Sequence, residues 1–305
     1  MEAKCADESA WITRTNDPRS TNYDKPRQRL ALRRVEGLSA IASLRQHWRE
    51  YAMEVAEVAC YLFVACLVTA LIHHPASIVR RSISSDVARR AFMGLAMGTT
   101  TIALVTSPWG KRSGGHFNPA ITLTFYRLGK VEFWDAWFYG IAQLVGAWSG
   151  VAFAKYVLRG ALAHDAVRYA VTMPGMYGSA AAFAAELSIS FILMSTVLFT
   201  TNRARLASYT AYFLGGLIAV YYTFETPLSG MSTNPARTFG SALHANYWHA
   251  LWIYFMAPTI GMLIAAELFL RLSGAIPYCA RLHHANHEGC IFHHAQQEVE
   301  KRNVA

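Results

Sequence analysis

His116-Phe117-Asn118-Pro119-Ala120 and Ser232-Thr233-Asn234-Pro235-Ala236-Arg237 decide the reading of this 305-residue chain. Each Asn-Pro-Ala lies between long apolar runs, and the two asparagines stand 116 positions apart. Asn is a strong helix N-cap, and Pro is favoured in the first turn, where its missing N–H would be unpaired anyway. Beyond these prolines the chain runs from Ala120 to Tyr126 before Gly129 in the first copy, and from Ala236 to Leu243 in the second. Each stretch predicts a helix of about ten residues, or ~15 Å, which is half a bilayer. A lone Asn-Pro-Ala is an ordinary turn or helix start, and two N-capped surface helices in loops are the alternative. Duplication and apolar character favour two helices that dip into a membrane from opposite faces.

Composition agrees. The chain is 53% hydrophobic and only 15% charged, poorer in charge than a typical soluble domain. Six apolar blocks are long enough to cross ~30 Å of hydrocarbon, at about 51–73, 88–107, 133–158, 177–200, 207–226 and 248–272. The first block carries Glu54 and Glu57, so it faces a bundle interior or a wet cavity rather than lipid.

Net charge is +9, and its placement matters more than its size. With both tails on the cytoplasmic side, that side holds 20 Lys and Arg and the opposite side 7, with Arg237 in the membrane. This fits the positive-inside rule, although Arg80, Arg81, Arg89 and Arg90 run against it. Topology and lipid contact explain the basicity, and no nucleic-acid partner is implied. Cys60 and Cys66 fall in the first span and Cys5, Cys279 and Cys290 in the tails, so no disulfide framework is expected. No cleavable signal precedes the first span, and the acidic residues of the Arg-rich N-tail argue against an organelle presequence.

The halves repeat. Each runs span with a glutamate (Glu57, Glu186), span, Asn-Pro-Ala, span. Three crossings per half place the second copy upside down, an inverted repeat whose shared site lies near the bilayer midplane. The expected fold is therefore all-α, with six transmembrane helices and two re-entrant half-helices. Helix N-termini carry unpaired N–H donors and about half a positive charge each, so two converging ends repel cations. The amides of Asn118 and Asn234 are placed to donate to a passing water oxygen, which interrupts proton relay while water moves. Carbonyls of Gly114–Phe117 and Gly230–Thr233 are candidates to replace water's lost hydrogen bonds, with glycines allowing close approach. Arg237 adds a fixed charge and donors.

On these motifs the chain resembles the aquaporin (major intrinsic protein) family over about 51–272. Supporting stretches are Ala142-Gln143-Leu-Val-Gly146-Ala, Thr200-Thr-Asn-Arg203 and Trp252-Ile-Tyr-Phe-Met-Ala-Pro258. The resemblance implies a homotetramer with one pore per protomer and no cofactor. It makes Asn118, Pro119, Ala120, Asn234, Pro235 and Ala236 the pore motifs, and Arg237 the arginine of an aromatic/arginine constriction. Counting from the motifs puts Met97, Tyr222 (Tyr221 if the register slips) and Met231 beside it, a bulky and mostly apolar ring. It also implies that buried glutamates brace the half-helix loops, a role carried to Glu57 and Glu186. Glu54, one turn earlier, is a candidate for the same role or for another partner. Thr238, Ala242 and the pair Tyr254-Phe255 look more like the water group than the glycerol group, whose members carry Asp after the second motif.

The domain organisation read from the chain is an N-terminal cytoplasmic tail (1–50), a channel domain (51–272) and a C-terminal cytoplasmic tail (273–305). The channel domain divides into repeats 51–158 and 177–272. Residues 28–49 alternate Leu30, Val35, Leu38, Ile41, Leu44 and Trp48 with arginines, as in a basic amphipathic helix lying on a membrane surface. The C-tail holds His283, His287 and Cys290, candidates for a zinc-like metal, although no closed ligand spacing is present. The functional expectation is a passive water channel in a cell membrane (plasma or inner). A pore for glycerol, ammonia or hydrogen peroxide is the alternative, and a closed-pore adhesion or structural protein is the rival of another class. No nucleophile–base pair recommends an enzyme.

Overall fold

The computed structural model describes residues 38–273 and 280–282. Six long helices and two short ones make the bundle. They are α1 (Ala40–His73), α2 (Asp86–Thr106), α3 (Pro119–Arg127), α4 (Phe133–Leu158), α5 (Gly178–Thr201), α6 (Thr210–Phe224), α7 (Pro235–Ala245) and α8 (Leu251–Ser273). The helices α1, α4, α5 and α8 are long and apolar enough to cross a membrane by length and composition, while α6 is shorter at 15 residues. The half-helices α3 and α7 have 9 and 11 residues, so both fall well short of a bilayer crossing.

Polarity is inverted relative to a water-soluble fold. Glu54, Glu57, Glu186 and Gln143 are fully buried, whereas Phe92, Leu95, Trp148, Phe153, Ile192 and Phe199 are exposed on the outside. That distribution suits lipid around the bundle and a polar interior. Packing follows the repeat: α1 lies against α4, α5 against α8, and α2 against α6 across the two halves. Close approach makes these pairs. A Cβ on Gly150 would stand 2.4 Å from the Ala59 carbonyl oxygen of α1, and one on Gly98 at the same 2.4 Å from that of Gly215 of α6.

The first span departs from its expected start. The helix begins at Ala40 rather than 51, N-capped by Ser39, and runs unbroken to His73. Residues 40–49 therefore extend the span instead of forming a separate surface helix, and residues 28–37 lie outside the described residues. The reason is anchoring. Asp135 of α4 accepts from Tyr51 Oη at 2.6 Å and stands 2.8 Å from His47 Nδ1, and Glu50 pairs with Arg112 at 2.8 Å. Ile41, Leu44 and Trp48 remain exposed on the other side of that turn.

These contacts make a stability prediction. Gly150→Ala should destabilise the bundle by roughly 1–3 kcal/mol, because helix backbone, not a mobile side chain, must move aside. Gly140 lies on the same helix, and a Cβ added there would meet nothing within 4 Å. It is the control: Gly140→Ala should be neutral or gain up to ~1 kcal/mol of helix propensity. Thermal unfolding of the two variants in detergent distinguishes them.

Candidate functional site

The half-helices meet N-terminus to N-terminus, and each asparagine does two jobs. Asn118 Oδ1 accepts from Ala120 N at 2.9 Å, and Asn234 Oδ1 accepts from Ala236 N at 3.0 Å and Arg237 N at 3.3 Å. The amide nitrogens cross to the opposite loop. Asn118 Nδ2 donates to the Thr233 carbonyl and Asn234 Nδ2 to the Phe117 carbonyl, both at 2.8 Å. Each NH₂ has two hydrogens, so each keeps one N–H beyond this exchange.

The loops ahead of the motifs are folded alike. Gly115 and Phe117 have positive φ of 67° and 31°, and their counterparts Met231 and Thr233 have 55° and 54°. Left-handed backbone at non-glycine residues is costly, of order 1–3 kcal/mol each, and here it turns the N–H groups of each loop toward one carboxylate. Glu186 of α5 accepts from Ser232 N, Thr233 N and Ser229 Oγ, each at 2.7 Å. Glu54 of α1 accepts from His116 N at 3.0 Å, Phe117 N at 2.7 Å and Gln143 Nε2 at 2.7 Å. Further pairs match: Tyr139 Oη donates to the Ser113 carbonyl and Tyr254 Oη to the Ser229 carbonyl, both at 2.6 Å.

The expected bracing residue Glu57 is thus corrected to Glu54. Glu57 is buried, but it accepts only from Ser113 Oγ at 3.0 Å, and its second oxygen has no partner. One helical turn decides this, because Glu54 lies level with the His116–Phe117 peptide and Glu57 does not.

Two cavities flank the motifs. The one on the face opposite the start of α1 and the end of α8 measures about 380 Å³. It ends at Tyr222 and Arg237, with Met93, His73, Arg90 and Arg168 in its walls. The other measures about 30 Å³ and is lined by Tyr61, Phe117, Asn118, Thr233, Asn234 and Leu282, among others. Tyr61 lines the small cavity and Tyr222 the large one beside Arg237, and the Tyr222 hydroxyl is buried without a hydrogen-bond partner. The Arg237 guanidinium donates from a terminal nitrogen to Thr172 Oγ1, and its Nε has no protein partner.

The expected ring is therefore brought together only in part. Tyr222 and Arg237 line the large cavity, as does Met93, one turn before the expected Met97. Met97 and Met231 are fully buried in packing, and neither is among the lining residues of the two cavities. The fallback Tyr221 is also outside both linings, and its hydroxyl is buried without a partner. Sequence reasoning missed Tyr61, Thr172 and Leu282. A signal existed for Tyr61 alone: it follows Glu54 by two helical turns and so shares its face. Among the described residues no three His, Cys, Asp or Glu gather as a metal site, and Cys60 and Cys66 are unpaired. His283, His287 and Cys290 lie outside the described residues.

Comparison with known proteins places this geometry. The family profile described as "Major intrinsic protein" matches residues 42–269. Aquaporin PIP1-2 of Musa acuminata subsp. malaccensis is 30% identical over 244 residues, 77% of this chain and 83% of that protein. Human aquaporin-5 is 34% identical over 192 residues, 59% of this chain and 66% of that protein. Glycerol uptake facilitator protein-like 6 of Lactiplantibacillus plantarum (strain ATCC BAA-793 / NCIMB 8826 / WCFS1) is 33% identical over 177 residues, covering 57% and 81%. Among solved structures, the aquaglyceroporin from Plasmodium falciparum superimposes with a TM-score of 0.63 at 19% identity, over 75% of this chain and 97% of that one. This last likeness concerns the fold.

The two glutamates of the first span give a direct test. Glu54→Gln replaces one of two acceptor oxygens with a donor facing a backbone N–H, and should cost about 2–3 kcal/mol, the range for hydrogen bonds to charged groups left unmade. Glu57→Gln, which disturbs a single hydroxyl contact, should cost less than about 1 kcal/mol. Unfolding midpoints in detergent decide between them, and equal losses would return Glu57 to the bracing role.

Proposed function

The chain belongs to the major intrinsic protein family, and we propose that it is a passive water channel that excludes protons and ions. It is a multi-pass integral membrane protein of a family of transporters, and we assign it no chemical turnover and no cofactor. The observation that carries the reading is the reciprocal asparagine exchange. With one N–H of Asn118 and one of Asn234 spent on the opposite loop, a second N–H on each remains to hold a water oxygen. A water whose oxygen accepts from both cannot accept a proton from its neighbour, so the relay stops and the water passes. The half-helix ends and Arg237 raise the positive potential at the same place. Next to them stand Tyr61, in the wall of the small cavity, and Tyr222, in the wall of the large one, and we assign these two rings to the narrowing that turns larger solutes away.

A second reading, glycerol or another small neutral solute such as ammonia or hydrogen peroxide, draws on the large outer cavity. Its Met93, Met173, Val167 and Val171 would accept a carbon face and its Arg237 a hydroxyl. Water remains the better fit because of the two tyrosines. Thr238, which stands where glycerol channels carry Asp, is tied to Ser232 Oγ at 2.6 Å. We further place both chain ends in the cytoplasm from the count of 20 basic residues against 7, in a cell membrane, with lipid around a homotetramer.

Stopped-flow shrinkage of proteoliposomes under a sucrose gradient, repeated with glycerol, tests the selectivity. Fast water and slow glycerol is the expected result, and equally fast entry of both would move the protein to the glycerol reading. Tyr222→Ala should raise glycerol entry roughly tenfold, a barrier lower by about 1.4 kcal/mol, while water flow is kept. Asn234→Ala and Arg237→Ala should each admit protons under a pH gradient, read with an entrapped dye. Unchanged proton exclusion in both would sink the mechanism.

A further inference from the structure

A short piece of the C-terminal tail returns to the pore. Ala280, Arg281 and Leu282 are all buried, Ala280 and Leu282 completely so. Two hydrogen bonds hold them to the loop ahead of the first motif. Leu282 N donates to the Gly114 carbonyl at 3.0 Å, and His116 Nε2 stands 2.6 Å from the Ala280 carbonyl, to which the ring N–H donates. The Leu282 side chain lines the same small cavity as Asn118 and Asn234. That cavity, about 30 Å³, is small, with room for only a few waters at most, one water needing roughly 10–15 Å³ of such space.

We propose that residues 280–282 are a plug that closes the pore from the face on which α1 starts and α8 ends, so that release of the tail opens the channel. The proposal rests on the channel reading above and adds a regulator to it. Three observations point to it. The segment is recognised through its backbone at both ends, by a carbonyl and a ring N–H of one loop, as a seated ligand is. His116 is the residue that makes this possible on one side only, since its counterpart in the second half is Ser232, whose side chain is committed to Thr238 and to the Asn234 backbone. An apolar side chain beside the asparagines also removes the hydrogen-bond partners that a file of waters needs there, and hydrophobic constrictions close channels by dewetting.

The test compares three proteins in liposomes: the full chain, a truncation ending at Ser273, and full-length Leu282→Gly. Permeability to water is normalised to protein that elutes as folded in detergent. The truncation should pass water about tenfold faster than the full chain, the ratio for a tail docked nine-tenths of the time, and Leu282→Gly should move in the same direction. Should the truncation fail to fold, Leu282→Gly decides alone. Equal flow through all folded proteins overturns the plug. If that common flow is well above empty liposomes, the channel reading stands without it; if it is no higher than empty liposomes, the channel reading fails as well. Independently of any flow, the Leu282 amide in the full chain should be protected from hydrogen exchange, and rapid exchange there would also overturn the docking.

Discussion

Two helix N-termini meeting inside a membrane is the constraint on which the rest of this structure depends. Neither end can be solvated by water from bulk, and backbone outside a helix at that depth must find its partners in protein. The crossed bonds of Asn118 to the Thr233 carbonyl and Asn234 to the Phe117 carbonyl supply part of the answer. They bind the loops to each other, so neither half-helix can shift without the other. Left-handed backbone at Phe117 and Thr233 is the local cost, and it is sustained because it presents those same carbonyls to the opposite asparagine.

Buried glutamates follow from this, not the reverse. A loop with its N–H groups turned inward needs an acceptor, and Glu54 and Glu186 each satisfy two consecutive amides with one carboxylate. A carboxylate in a dry interior is expensive unless its oxygens are fully bonded, and each of these has a third donor. The halves differ in who supplies it: Gln143 of α4 for Glu54, Ser229 of the loop itself for Glu186. The position equivalent to Gln143, judged from the Tyr139 and Tyr254 pair, is Pro258, which has no donor to give. The same requirement has been met by different residues.

That substitution explains what could be read from the sequence. The duplicated motif, the six apolar blocks and the half-helix lengths are local signals, and each depends on residues adjacent in the chain. Arg237 and Tyr222 were legible because they keep a fixed distance from Asn234 with no insertion between. Glu54 and Glu57 were separated only by register, since either could serve on hydropathy and a turn of helix decides which meets the loop. Met97 failed for a related reason: its placement depended on counting through the longer connection before Asn118, where the short helix Pro108–Ser113 takes up the chain. The start of α1 at Ala40 was obscured because its first three turns carry polar residues whose partners, Asp135 and Arg112, lie far along the chain. Leu282 had no local signal at all, being an apolar residue in a polar tail.

Charge imposes the last condition. Each half-helix end carries about half a positive charge, and Arg237 adds a full one within the first turn of α7. Two like ends held head to head would repel, so the fold needs negative groups close by. It places them behind the loops: Glu186 and Glu54 accept from amides one and two residues before each motif, away from the space between Asn118 and Asn234. The compensation therefore stabilises the backbone without neutralising the gap. Moving either carboxylate forward by one helical turn would leave the loop amides unpaired, so the geometry that makes the two ends stable is also the one that leaves the partial positive charge of both helix ends facing the space between them.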